Sequence, residues 1–172
     1  SQRAELTLQT KVGIVREDGP YFDFSYDEII RSAEESLRSL QTDYLDILLL
    51  HRPDALVEPD EVARAFDELE AAGKVRAFGV SNHTPSQIEL LKKSVRQPIV
   101  ANQLQLSIAH APIIAQGVSA NVAGDEQSIT LDGGGVLDYC RLNDITVQAW
   151  SPLQGRTGVF LGSPEYPELN AV

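Results

Sequence analysis

The run Tyr44-Leu45-Asp46-Ile47-Leu48-Leu49-Leu50, continued by His51-Arg52-Pro53-Asp54, constrains the fold more than any other stretch. A short, almost wholly apolar run fits a strand buried on both faces, as in a parallel sheet covered by helices. Pro53 has no amide proton for a ladder and biases Arg52 towards extended or turn backbone, so the strand ends near His51. A titratable ring therefore stands at the carboxyl end of a buried strand, where parallel α/β folds place their ligands. A lone histidine in that place more often has a structural role, bonded to a backbone carbonyl. The other strand ends bear on the choice.

Leu6–Lys11 alternates apolar and polar residues and predicts a strand with Lys11 at its carboxyl end, followed by a loop with Asp18-Gly19-Pro20 as its turn signal. Ser25 and Glu28 have capping-box spacing, and Phe24 and Ile29 sit at staple positions. Ile29, Ala33, Leu37 and Leu40 then recur at helical spacing. After the His51 strand, Val62, Ala65, Phe66 and Leu69 mark a second helix, stopped by Gly73. Arg76–Val80 predicts a third strand, ending at Ser81-Asn82. Thr84, Pro85 and Gln87 form the start of a third helix, with Ile88, Leu91 and Val95 facing inward. A fourth strand is expected over Ile99–Leu104, a helix over Val136–Leu142 and a fifth strand over Ile145–Trp150. Residues 117–135, rich in Ser, Asn, Gly and Asp, predict a loop or insertion, and the tail from Gly155 shows no periodicity.

Strands alternating with helices predict one domain over residues 1–172, of α/β class, with a parallel sheet and right-handed crossovers. Either a barrel or an open doubly wound sheet satisfies that order. No G-x-G-x-x-G follows the first strand and no Walker sequence occurs, which counts against both common nucleotide-binding folds. With 14 basic against 25 acidic residues the net charge is −11, which argues against nucleic acid or an anionic membrane as a general partner. The single Cys140 rules out an intrachain disulfide framework and suits a reducing, cytoplasmic setting. His83 and His110 lack metal-site spacing. The absence of methionine, with a start in the lead-in to a strand, reads as an excerpt of a longer polypeptide or an edited sequence.

Each predicted strand ends in a chemically useful group: Lys11, His51, Ser81-Asn82, Gln103 and Trp150. Singly, each has a plain explanation: a solvated charge, a turn residue, a core indole. Gln103 is harder to dismiss, because a buried amide needs partners. In a parallel barrel all five ends share one rim. Amides then suit a carboxamide and an indole suits a planar ring, the features of a nicotinamide.

Thr10-Lys11, Leu50-His51-Arg52-Pro53, Gly79-Val80-Ser81-Asn82, Asn102-Gln103 and Ala149-Trp150-Ser151-Pro152-Leu153 resemble, in order, the strand-end motifs of the aldo-keto reductases. The likeness runs from about Leu6 to Leu153 and is nearest to bacterial oxidoreductases of that superfamily. It implies a (β/α)8 TIM barrel, represented here by about its third to seventh strands. It also implies reduction of small aldehydes or ketones with NADPH, NADH not being excluded. Lys11 and His51 match two catalytic residues. Ser81, Asn82 and Gln103 match those that hold the carboxamide, and Trp150 matches the stacking aromatic. Ser151 and Leu153 match a loop that touches the pyrophosphate, with Arg156 assisting. The family's aspartate and proton-donating tyrosine are not found before Lys11, and the first two strands and the segment that grips the adenosine end are expected outside these residues. A lysine cation about 4 Å from a phenol, at an effective dielectric of about 20, is worth roughly 4 kcal/mol, or about three pKa units, before desolvation cancels part of it. A non-catalytic barrel fragment or nicotinamide-binding module is the alternative function. A Schiff-base lyase using Lys11 leaves Asn82, Gln103 and Trp150 unexplained.

Overall fold

The computed structural model describes residues 2–16, 19–118, 135–154 and 158–171. The chain divides into two compact units, Ser1–Asn102 and Gln103–Val172.

The first unit opens with a 3-10 turn, Gln2–Glu5, then β1 (Gln9–Val12), a hairpin of β2 (Ile14–Val15) and β3 (Tyr21–Phe22), and helix α1 (Tyr26–Leu40). It continues with β4 (Leu45–Leu50), α2 (Pro59–Ala71), β5 (Val75–Ser81) and α3 (Pro85–Leu91). Strand β6 (Ile99–Gln105) begins in this unit and ends in the next, which adds α4 (Pro112–Val118), α5 (Val136–Leu142) and β7 (Thr146–Trp150). β1 pairs parallel with β4, and β4 with β5. The first unit's sheet runs β1-β4-β5-β6, and β6 is followed in the sheet by β7.

The apolar run behaves as its composition demands. Leu48, Leu49 and Leu50 are all fully buried, and since successive strand residues face opposite ways, both faces of β4 are covered. α1 packs on β1 and on α2, and α2 packs on β5 and α3. The inward residues Val62, Ala65, Phe66 and Leu69 of α2 are buried, and the Phe66 ring stacks on Phe78 at 4.0 Å between centroids. Neighbouring strands come close at Gly79. A Cβ placed there would lie 2.6 Å from Leu49 Cδ2 and 2.7 Å from the Ala101 carbonyl oxygen.

Several local expectations are corrected. The first strand starts at Gln9, not Leu6. Leu6 is exposed, and the Leu8 amide donates to the Asp46 carboxylate at 2.9 Å. That bond, with Arg3 at 2.8 Å and Arg76 at 3.1 Å, holds the Asp46 carboxyl below the usual range. Both guanidinium groups lie over the Tyr44 ring, at 3.9 and 3.7 Å from its centroid. Side chains thus take the Leu6 carbonyl and the Leu8 amide, while the Leu8 carbonyl accepts from the Asp46 and Ile47 amides at 3.0 and 3.2 Å. Around the Asp18-Gly19-Pro20 turn the chain forms the β2–β3 hairpin, which alternation over so few residues could not announce; Asp18 itself lies outside the described residues.

Only half of the expected box forms at α1. Ser25 Oγ accepts from the Glu28 amide at 3.4 Å, but the Glu28 carboxylate turns to Arg31 and Ser32. The Ser25 amide donates to Asp23 instead, at 2.8 Å. Leu40, in the last turn before the left-handed cap Gln41, is exposed rather than inward. The α3 box is complete. α4 extends to Val118, so the start of the 117–135 segment is helical; residues 119–134 lie outside the described part. Among the described residues, no helix is long and apolar enough to cross a membrane.

Candidate active site

Parallel pairing brings the carboxyl ends of β1, β4 and β5 level. Val12 stands opposite Leu50, and Leu50 opposite Val80. The next residues, His51 and Ser81, therefore emerge side by side. The His51 amide donates to the Val12 carbonyl at 3.0 Å, which anchors the ring's backbone to β1. Lys11, one residue earlier on β1, is half-buried. Lys11 and His51 line one cavity of about 370 Å³ together with Thr10, Arg16 and Ser32. Burial pushes the His51 pKa down, and the charges of Lys11, Arg52 and Arg16 push it the same way. The ring is therefore neutral at pH 7, able to donate from one nitrogen and accept at the other. Among the described residues Lys11 forms no ion pair.

Ser81 is the last residue of β5 and is buried. Asn82 follows in the left-handed region, φ 61°. Asparagine tolerates that region better than most residues. Its amide nitrogen donates to the His51 carbonyl at 3.2 Å and to Ser81 Oγ at 2.9 Å. Lys11, His51, Ser81 and Asn82 are thus brought together within the first unit. Sequence reasoning gave no role to His83, which dismissed only a metal site there. It is buried, its Nδ1 lies 2.9 Å from the Ser81 carbonyl, and its ring stacks on Phe24 at 6.0 Å. Burial pushes its pKa down to about 4.

In the second unit, Gln103 is not at a strand end. β6 runs on to Gln105, and the Gln103 amide donates to Gln148 Oε1 on β7 at 3.2 Å. Gln105 bonds Gln154 in turn, at 2.8 Å. Polar Gln105 continues the strand because its side chain has this partner. Gln148 and Gln154 went unnoticed in the sequence; the available signal was the period-two recurrence of glutamine at 103 and 105. Trp150 ends β7, half-buried. Ser151 takes φ 51° and Leu153 is exposed. Arg156 lies outside the described residues. Among the described residues no cluster of His, Cys, Asp and Glu could hold a metal ion.

The sequence matches the Aldo/keto reductase family over residues 1–165. The chain belongs to the aldo/keto reductase family. This aldo/keto reductase chain is 38% identical over 160 residues to an uncharacterized oxidoreductase, YcsN, of Bacillus subtilis, covering 89% of the chain and 47% of that protein. It is 34% identical over 160 residues to a 6-dehydroglucose reductase of Agrobacterium fabrum, covering 89% and 48%. A crystal structure of an aldo/keto reductase from Klebsiella pneumoniae, in complex with NADP and acetate, superposes with a TM-score of 0.64 at 26% identity, covering 98% of this chain and 52% of that one. The chain thus spans about half the length of the relatives it matches. Its parallel α/β sheet is part of a (β/α)8 barrel of the aldo/keto reductase type.

Proposed function

We propose that the full-length protein is an oxidoreductase that reduces a small aldehyde or ketone to the alcohol with NADPH, and that Lys11 and His51 serve the proton side of the reaction. The observation that carries this reading is their shared cavity at the level carboxyl ends of β1 and β4, beside the Ser81–Asn82 turn. The NADP complex of the Klebsiella relative supports the choice of cofactor. The donor set fits a nicotinamide: Ser81, Asn82 and Gln103 offer hydroxyl and amide groups for its carboxamide, and Trp150 offers a flat face for its ring. Ser151, Leu153 and Arg156 are proposed for the pyrophosphate. When bound, the reduced cofactor supplies the hydride. A neutral His51 donates a hydrogen bond to the substrate carbonyl oxygen and orients it. The Lys11 ammonium favours the phenolate and so lowers the pKa of the family's tyrosine, proposed to lie in chain before residue 1, towards neutral pH.

The test is NADPH oxidation by the full-length protein with small aldehydes and ketones. Lys11→Met and His51→Ala should each lower turnover by about 10²-fold or more while NADPH affinity stays near wild type. Wild-type turnover in a folded, NADPH-binding variant would remove that residue from the mechanism.

A further inference from the structure

The left-handed turn at Asn82 is held from beneath by two buried side chains that reach no ligand themselves. Asn82 holds φ 61°, a region that asparagine enters at a modest cost offset here by its hydrogen bonds. The carbonyl on one side of Asn82, that of Ser81, is met by His83 Nδ1 at 2.9 Å. A carbonyl oxygen can only accept, so this nitrogen carries the proton and the tautomer is settled. One peptide further on, the His83 carbonyl accepts from Asn102 Nδ2 at 2.8 Å. The peptide before Asn82 and the one after His83 are therefore both held, and the Asn82 side-chain amide donates to the His51 carbonyl and to Ser81 Oγ. His83 is 3% exposed and Asn102 is 0% exposed. The ring lies parallel to Phe24, 10° between planes, and its bond to the Ser81 carbonyl sets the direction of Nδ1. The network ties the carboxyl ends of β4 and β5 to Asn102 in the middle of β6.

We propose that His83 and Asn102 are positioning residues for the nicotinamide seat, acting through Ser81 and Asn82. This rests on the reading that Ser81 and Asn82 hold the carboxamide. His83→Phe keeps the ring and its stack but removes the donor to Ser81. Asn102→Leu keeps the volume but removes the donor to His83. Either change releases one of these two carbonyls, before Asn82 or after His83, and lets the Ser81 and Asn82 side chains drift from the geometry the carboxamide needs. The adenosine end of the cofactor is untouched.

The experiment measures, in the full-length protein, the affinity for NADPH and for ADP-ribose phosphate, the cofactor without its nicotinamide, with kcat and KM alongside. His83→Phe and Asn102→Leu should weaken NADPH binding by about tenfold and leave ADP-ribose phosphate binding unchanged. In an Asn82→Ala background the further effect of His83→Phe should shrink to less than about twofold, because the group it positions is gone. If Asn102→Leu does not fold, His83→Phe decides alone. Wild-type NADPH affinity in folded His83→Phe, or equal weakening of both ligands, would overturn the positioning role while Ser81→Ala and Asn82→Ala still weaken NADPH. Unchanged NADPH affinity in those last two variants would instead sink the seat itself, and the proposal with it.

Discussion

His83 shows how one buried ring couples to pH. Burial holds its pKa at about 4 in the folded chain, against about 6.5 when the chain is unfolded. Above pH 6.5 the ring is neutral in both states and adds no pH dependence. As pH falls from about 6.5 towards 4, the unfolded chain takes up a proton that the folded chain refuses, so stability falls. A gap of roughly 2.5 pH units corresponds to about 3 kcal/mol at full extent. Denaturant titrations at pH 7 and pH 4.5 should therefore show a larger loss in wild type than in His83→Phe. Equal losses would mean that the ring is accessible to protons. His51, whose pKa is also lowered by burial first and then by Lys11, Arg52 and Arg16, adds a term of the same sign. Carboxylates such as Asp46, held in the ionised form by the Leu8 amide and Arg3, lose stability in the same direction and are common to both variants.

At the scale of the element, β5 is the strand on which the site hangs, because it carries Ser81 at its end and lies between β4 and β6. Its close approach depends on Gly79, where a methyl group would meet Leu49 Cδ2 at 2.6 Å and the Ala101 backbone oxygen at 2.7 Å. The leucine tip can yield, but the strand backbone cannot without displacing the ladder. Gly79→Ala is therefore expected to cost roughly 1–3 kcal/mol and to weaken nicotinamide binding as well, since Ser81 is two residues on. Thermal unfolding and NADPH titration of the full-length variant would show both effects. A variant with wild-type melting behaviour would mean that β4 and β6 give way freely. Pro85 and the complete box of Thr84 and Gln87 then start α3 directly after the Asn82 turn, so helix and turn are set by adjacent residues.

At the scale of the molecule, residues 1–172 correspond to about half of their relatives' length. Among the described strands, β1 and β7 stand at the two ends of the sheet order, each with a single neighbouring strand. Terminal strands of a sheet invite association, as do exposed apolar residues such as Leu6 and Leu142. Residues 1–172 expressed alone are expected to self-associate and to leave NADPH unoxidised in the presence of aldehydes. Light scattering that found a monodisperse monomer would refute the first expectation. Turnover abolished by a single Tyr→Phe change within these residues would refute the second.

The amino-acid sequence by itself determined the alternation of strands and helices, the two-faced burial of Leu48–Leu50, the start of α3 at Thr84, and the order of strand-end motifs that matched the family. Those signals are local: an apolar period, a proline, a cap and its partner three residues on. Tertiary structure alone decided the rest. Gln103 meets Gln148 across 45 residues of chain, and Asn102 meets the His83 carbonyl across 19, in pairings that depend on strand register. Leu6–Leu8 carries a strand-like pattern, yet Arg3 takes the Leu6 carbonyl and Asp46 the Leu8 amide, and backbone pairing with β4 begins only at the Leu8 carbonyl. His83 reads as an unremarkable polar residue after a turn. Only the packing of Phe24 against it and the nearby Ser81 carbonyl make it a buried, neutral donor, because desolvation and hydrogen bonding act through space and not along the chain.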